Sequence, residues 1–238
     1  MNKIPADSKD NDLGVTASPR RRVAFYGGSF DPPHRGHLAI AHALLALFEM
    51  DQFVFIPAFR APHKLRKQSS SAYDRYAMLC LITADDPVIS VSKMEIEMPE
   101  RPYSVETLAR LKDEMPDDEI FFVMGADSWM DITTWREWEK VLLMTNHIVV
   151  TRPGIEIGFE HVTDEIRERI VDLRGESEPG TVATGFRVDR PSIFITDTVE
   201  MKISATEIRQ KIHENDPSWL TEVPAEVANY VEKYQIYN

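Results

Sequence analysis

The sequence predicts an α/β protein, a Rossmann-like, doubly wound and mostly parallel sheet with helices on both faces. Three observations carry this. Short apolar runs alternate with longer amphipathic stretches along the chain, as repeated strand–helix units require. A loop dense in Gly, Pro and His, YGGSFDPPHRGH at 26–37, joins the first apolar run to the first amphipathic one. The composition, 43% apolar and 28% charged over 238 residues, is that of a globular chain able to bury a sizeable core.

Taken in order, residues 1–20 are polar, lack an apolar segment of the secretory kind and are expected to be a disordered tail. Residues 21–238 are expected to form a single domain. Strands are expected at 23–26 (VAFY), 53–56 (FVFI), 88–92, 120–124 (IFFVM), 147–151 (HIVVT) and 193–196 (IFIT). Helices are expected at 36–48, 72–84, 104–114, 134–144, 160–174, 204–214 and 224–234. Residues 155–190 interrupt this rhythm: they are charge-rich, carry GESEPG at 175–180 and are expected to be an irregular insertion that includes one helix.

Charge and cysteine content exclude several classes. The net charge of −12 opposes general nucleic-acid binding, which needs a positive face. No run of 18 apolar residues is present, so no membrane span is expected. Cys80 is the single cysteine and lies in an apolar helical pattern, which excludes a disulfide framework and a cysteine metal site. A reducing cytoplasm is the simplest location.

In a sheet of this kind ligands sit beyond the carboxyl ends of the strands, where the loop 27–36 falls. That loop is neither a Walker A loop nor a G-x-G-x-x-G fingerprint. Its glycines nevertheless permit close approach of backbone to phosphate, and the helix beginning near Gly36 offers free amides and a positive dipole end. His34 and His37 are three apart and can face one ligand. His42 lies off that face, which argues against zinc. ISATEIR at 203–209 reads as a second helix start, with Ser204 and Glu207 as a capping box and Arg209 able to reach the same anion. By itself that motif is weak, because many surface helices begin so. PHK at 62–64, flanked by Arg60 and Arg66, is a local basic cluster on an acidic chain. RPYSVETL (101–108) and DITTWREW (131–138) read as further helix starts, capped by Ser104 and by Thr134 with Glu137; Thr107 stands at the third helical position. Trp135, in the first turn of the second, packs under the sheet edge or stacks on a ligand.

The ordered set GGSFDPPHRGH, PHK, RPYSVETL, GADSW, TTWREW, VVTRPG and ISATEIR resembles bacterial nicotinate-nucleotide adenylyltransferases from about Arg22 to Ile212. The first and last motifs are those of the wider nucleotidyltransferase superfamily, and TWREW with GADS narrow it. The resemblance implies transfer of AMP from ATP to nicotinate mononucleotide in NAD biosynthesis, with Mg²⁺ delivered by ATP and Asp31 the one carboxylate nearby. It implies catalytic roles for His34 and His37, and nucleotide contacts from Gly27, Gly28, Ser29 and Phe30. Lys64, Ser204, Thr206 and Arg209 would hold the phosphates, and Asp127 a ribose hydroxyl. Ser104, Thr107, Trp135, Arg136 and Arg152 would bind the nicotinate nucleotide. Ala205 stands where the family usually has a second serine. A homo-oligomer is left open. The rival readings are phosphopantetheine adenylyltransferase, which shares both end motifs, and a nucleotide sensor without turnover.

Overall fold

A computed structural model describes residues 20–59, 70–98, 102–151, 157–175, 190–199 and 201–237. The expected N-terminal tail, PHK and the GESEPG segment from Glu176 onward lie outside these residues, Arg20 excepted. Seven strands form one sheet: β1 (Arg22–Gly28), β2 (Gln52–Pro57), β3 (Ile89–Val91), β4 (Glu119–Gly125), β5 (Asn146–Val150), β6 (Ile170–Asp172) and β7 (Ile193–Thr196). Their order is β3-β2-β1-β4-β5-β7-β6 and every pairing is parallel. Among the described residues the α-helices are α1 (Arg35–Leu47), α2 (Ala72–Thr83), α3 (Ser104–Glu114), α4 (Ala126–Met130), α5 (Trp138–Met144), α6 (Asp164–Arg167), α7 (Ala205–His213) and α8 (Ala225–Tyr234).

Strand periodicity divides the core into two layers. Val23 and Phe25 of β1, with Ile120 and Phe122 of β4, face Leu108 of α3 and Val141 of α5. Ala24 and Tyr26, with Phe121 and Val123, face Leu44 of α1 and Leu79 of α2. A third apolar cluster joins Met78 of α2, Ile208 of α7, Val231 of α8 and Tyr237 near the end of the chain. Among the described residues no helix is long and apolar enough to cross a membrane.

The strand order reverses direction between β1 and β4. The first three strands wind outward on one side and the later ones on the other, so the segments leaving β1 and β4 flank a crevice at the carboxyl edge. A Cβ added at Gly125, the last residue of β4, would meet nothing within 4 Å, so space is open above that strand end.

Two expectations are corrected. Residues 160–174 are not one helix. Only Asp164–Arg167 is helical, and Ile170–Asp172 pairs with β7 as the edge strand, bracketed by bonds from the Ile193 amide to Arg169 O (2.9 Å) and from the Leu173 amide to Ile195 O (2.8 Å). The β-branched pair Ile170–Val171 favours this pairing over a continued helix. The helix expected from 134 begins at Trp138. The amides of Thr134 and Trp135 return to the carbonyls of Asp131 and Ile132 in a 3₁₀ turn, and Glu137 takes a left-handed φ of 52°.

Candidate active site

The loop after β1 is held by local packing before any ligand is considered. Phe30 adopts a left-handed φ of 50°, and its ring is buried against Tyr26 (5.2 Å), Phe55 (5.3 Å) and His37 (4.9 Å). A Cβ on Gly28 would come within 2.8 Å of this ring, so that glycine is required by the loop's own packing. Any contact of Phe30 with a nucleotide must therefore come from its backbone. A Cβ on Gly27 would touch the Phe122 ring at 3.0 Å, and one on Gly36 would press on the His34 ring at 3.1 Å.

His34 is the N-cap of α1 and His37 its third residue. The rings stack with centroids 3.6 Å apart, and the His34 amide donates to His37 Nδ1 at 3.1 Å. Accepting at Nδ1 leaves the ring proton of His37 on Nε2, which is then a donor. The two histidines are 4% and 7% exposed, so a ligand would meet their edges.

The late motif meets this loop across nearly the whole chain. Ser204 is the N-cap of α7 by position, but its side chain makes no capping bond, which corrects the expected box with Glu207. Ile203 lies 3.9 Å from a Cβ built on Gly36, so the starts of α1 and α7 converge. Arg209 donates to the Asp31 carbonyl and, at 3.1 Å, to Thr206 Oγ1. Asp127 is exposed in the first turn of α4, directly after β4.

The segments RPYSVETL and TWREW meet where α3 begins. The N-cap is Tyr103 rather than Ser104. Tyr103 O accepts the amides of Glu106 (2.9 Å) and Thr107 (3.1 Å), while the Tyr103 amide donates to the Glu106 carboxylate (3.0 Å). The amides of Ser104 and Val105 are then the helix-end donors of that turn. Arg136 lies over the Tyr103 ring at 4.8 Å and 3.6 Å from Glu106, which brings the TWREW segment to this turn. Trp135 is extended and half-buried against the core, not in a helix. Thr134 caps nothing; its hydroxyl donates to Asp131 O at 2.7 Å. The Thr107 hydroxyl donates to Glu95 at 2.9 Å, a structural contact within the protein. Lys64 and Arg152 lie outside the described residues.

A hollow of about 460 Å³ opens elsewhere, between Leu38 and His42 of α1, Leu81 of α2 and Pro224 before α8. It contains none of the expected site residues, and its His42–Asp86 pair (3.0 Å) is a surface contact.

The cytidylyltransferase-like family model matches residues 25–211, a span that begins in β1 and ends in α7. The chain belongs to that family. Its nicotinate-nucleotide adenylyltransferase members are similar over nearly the full length. A Corynebacterium glutamicum protein named "Probable nicotinate-nucleotide adenylyltransferase" is 33% identical, covering 94% of this chain and 92% of its own. One of the same name from Corynebacterium jeikeium is 34% identical, covering 89% and 98%. The solved structure of Plasmodium falciparum nicotinic acid mononucleotide adenylyltransferase complexed with NaAD has the same fold, with a TM-score of 0.69 at 18% identity, covering 92% and 98%.

Three residues that brace the adenylyltransferase loop have no motif to announce them. Arg75, 3% exposed, donates to Ser29 O (2.6 Å) and Ala58 O (2.5 Å), tying the turns after β1 and β2 together. Burial draws its pKa down, against the charges of Asp31 and Asp74. One signal was available: Arg75 stands on the same helical stripe as Ala72 and Leu79, a charge where apolar side chains belong. Ser70 donates to Asp31 Oδ1 from its amide (3.1 Å) and its hydroxyl (2.6 Å), and Tyr237 OH donates to the same oxygen.

Proposed function

We propose that the protein joins the AMP moiety of ATP to nicotinate mononucleotide, giving nicotinate adenine dinucleotide and pyrophosphate. The observation that carries this is the convergence of two helix starts and two histidines, 170 residues apart in sequence, on the crevice between β1 and β4. Such a place suits a polyphosphate, because helix-end amides and imidazole N–H groups all donate to anionic oxygens.

In the reaction a phosphate oxygen of the mononucleotide bonds to the α-phosphorus of ATP. The bond from that phosphorus to the oxygen bridging to the β-phosphorus breaks, and pyrophosphate leaves. The nucleophile is already an anion, so no general base is needed. The protein's part is alignment and charge compensation at the transition state. His37 Nε2 and His34 serve the transferred phosphoryl group, while Gly27, Gly28 and Ser29 offer backbone to the nucleotide. Ser204, Thr206 and Arg209, assisted by Lys64, hold the phosphate tail, and Asp127 takes a ribose hydroxyl. Trp135 stacks on the pyridine ring. Its carboxylate is met by the α3 amides at Ser104 and Val105 and by Arg136, with Arg152 assisting.

Mg²⁺ is read as arriving on ATP. Among the described residues no three carboxylates or imidazoles gather as a metal cage. Asp31 already has Oδ1 engaged by Ser70 and Tyr237. These residues do not fit a resident ion. The cytoplasm is assigned as the location on the single cysteine and the need for ATP.

A panel of nicotinate mononucleotide, nicotinamide mononucleotide and phosphopantetheine with ATP and Mg²⁺, followed by pyrophosphate release, tests the reading. The nicotinate form should lead the amide in kcat/KM by about tenfold or more, since the amide would set an NH₂ against donors that need an acceptor. Equal values, or a preference for another acceptor, would overturn the acceptor assignment.

A further inference from the structure

The C-terminal end of the chain is built into the nucleotide loop. After α8, Gln235 (φ 51°) and Tyr237 (φ 74°) both take left-handed backbone conformations, unusual for residues with side chains. Together they turn the tail inward, where Tyr237 is 7% exposed among Met78, Ile208 and Val231. Strain of this kind persists where surrounding contacts over-determine it.

The contact in question is with Asp31, a carboxylate 2% exposed in the middle of GGSFDPPHRGH. Tyr237 OH donates to Asp31 Oδ1 at 2.5 Å and lies 3.2 Å from Ser70 Oγ. Asp31 faces three other charged or polar groups: Ser70 ahead of α2, Arg75 within α2, and Arg209 of α7, whose Nη1 is 4.0 Å from Oδ2. Arg209 also donates to the Asp31 carbonyl. One residue of the loop is thus gripped through its carboxylate by the tail and through its carbonyl by the late motif.

From this geometry we infer that Tyr237 is a positioning residue for the adenylyl transfer. Its hydroxyl fixes Asp31, and Asp31 sets both the course of residues 29–34 and the position of Arg209. The inference rests on the reading of the site given above, since it assigns Tyr237 a role through Asp31, Arg209 and the histidines. Burial beside the Asp31 carboxylate raises the phenol's pKa, which keeps the hydroxyl protonated and able to donate.

Tyr237→Phe in the full chain removes the hydroxyl and keeps the ring in its apolar cluster. Tyr230→Phe is the control. Its hydroxyl, on the same C-terminal segment, donates to Asp74 at 3.0 Å and does not touch Asp31. For Tyr237→Phe, kcat should fall about tenfold, the effect of losing one hydrogen bond to a buried charge. KM for both substrates should stay within about twofold, because the loop is misaligned rather than removed. Tyr230→Phe should keep wild-type kcat. Amide hydrogen exchange at residues 29–34 should quicken about tenfold in Tyr237→Phe alone, with β4 unchanged. Wild-type kcat in Tyr237→Phe, or an equal loss in both variants, would overturn the inference. If the wild-type protein releases no pyrophosphate with nicotinate mononucleotide, the proposed function fails. The hydrogen exchange then decides alone: faster exchange at 29–34 upholds the latch and unchanged exchange removes it.

Discussion

At the scale of single residues, His37 shows how a short motif fixes a protonation state. Its Nδ1 accepts the His34 amide, so Nε2 carries the proton that a phosphoryl oxygen can take up as a hydrogen bond. His37→Ala should lower kcat by about a hundredfold or more, as loss of one transition-state donor does, while ATP affinity changes far less. Pyrophosphate release and calorimetric ATP binding on the folded variant check both halves. The loop stood out in the sequence because Gly, Pro and His crowd at one strand–helix junction, and the structure stacks its two histidines there. Tyr237 and Ser70 were not legible. A tyrosine near a terminus and a serine among three serines look like ordinary surface residues until the fold brings them to Asp31. Phe30 reads from sequence as part of a ligand loop, yet its side chain belongs to the core.

At the scale of elements, most helices lie where the sequence placed them, but the starts of α3, α5 and α7 were misjudged and the single helix expected at 160–174 is a short helix and an edge strand. Ser71 caps α2 with a reciprocal box: its hydroxyl accepts the Asp74 amide at 3.1 Å, and Asp74 accepts the Ser71 amide at 3.2 Å. Thr134 and Glu137 have the same spacing and form no such box: in the 3₁₀ turn at Ile132–Thr134 both the amide and the hydroxyl of Thr134 donate to Asp131 O, and the following helix begins only at Trp138. Ser71→Ala should therefore lower the unfolding free energy by about 1 kcal/mol, and Thr134→Ala by less than about 0.5 kcal/mol. Urea titration of the two variants measures both, and equal losses would show that Thr134 caps a helix after all. The consequence for the site is direct. In the proposed site the donors for an acceptor carboxylate are those of α3 and Arg136, since no helix begins at Thr134. β6 was missed for a related reason: a three-residue edge strand has too little periodicity to stand out from the charged residues before it.

At the scale of the whole molecule, the parallel sheet buries a histidine that must stay neutral. His147 in β5 is fully enclosed beside Phe122, with Nδ1 2.9 Å from Thr145 O, and burial lowers its pKa to about 4. An unfolded chain binds this proton near pH 6.5, so between about pH 6.5 and 4 the unfolded state holds more protons and folding weakens as pH falls. Chemical denaturation at pH 6.5 and 4.5 should show about 2 kcal/mol of stability loss from this group, and His147→Leu should lack that component. An unchanged pH difference in the variant would reassign the effect to other groups. The strand order has a further consequence, in time rather than in space. The loop after β1, at residues 29–34, comes early in the chain, while the two residues that hold its Asp31, Arg209 of α7 and Tyr237, come late. During synthesis from the N-terminus, the sheet's central strands can pair while the crevice still lacks its far side. The grip on the loop after β1 is therefore completed only once residue 237 has been synthesised and can fold back onto Asp31, long after the loop itself has left the ribosome.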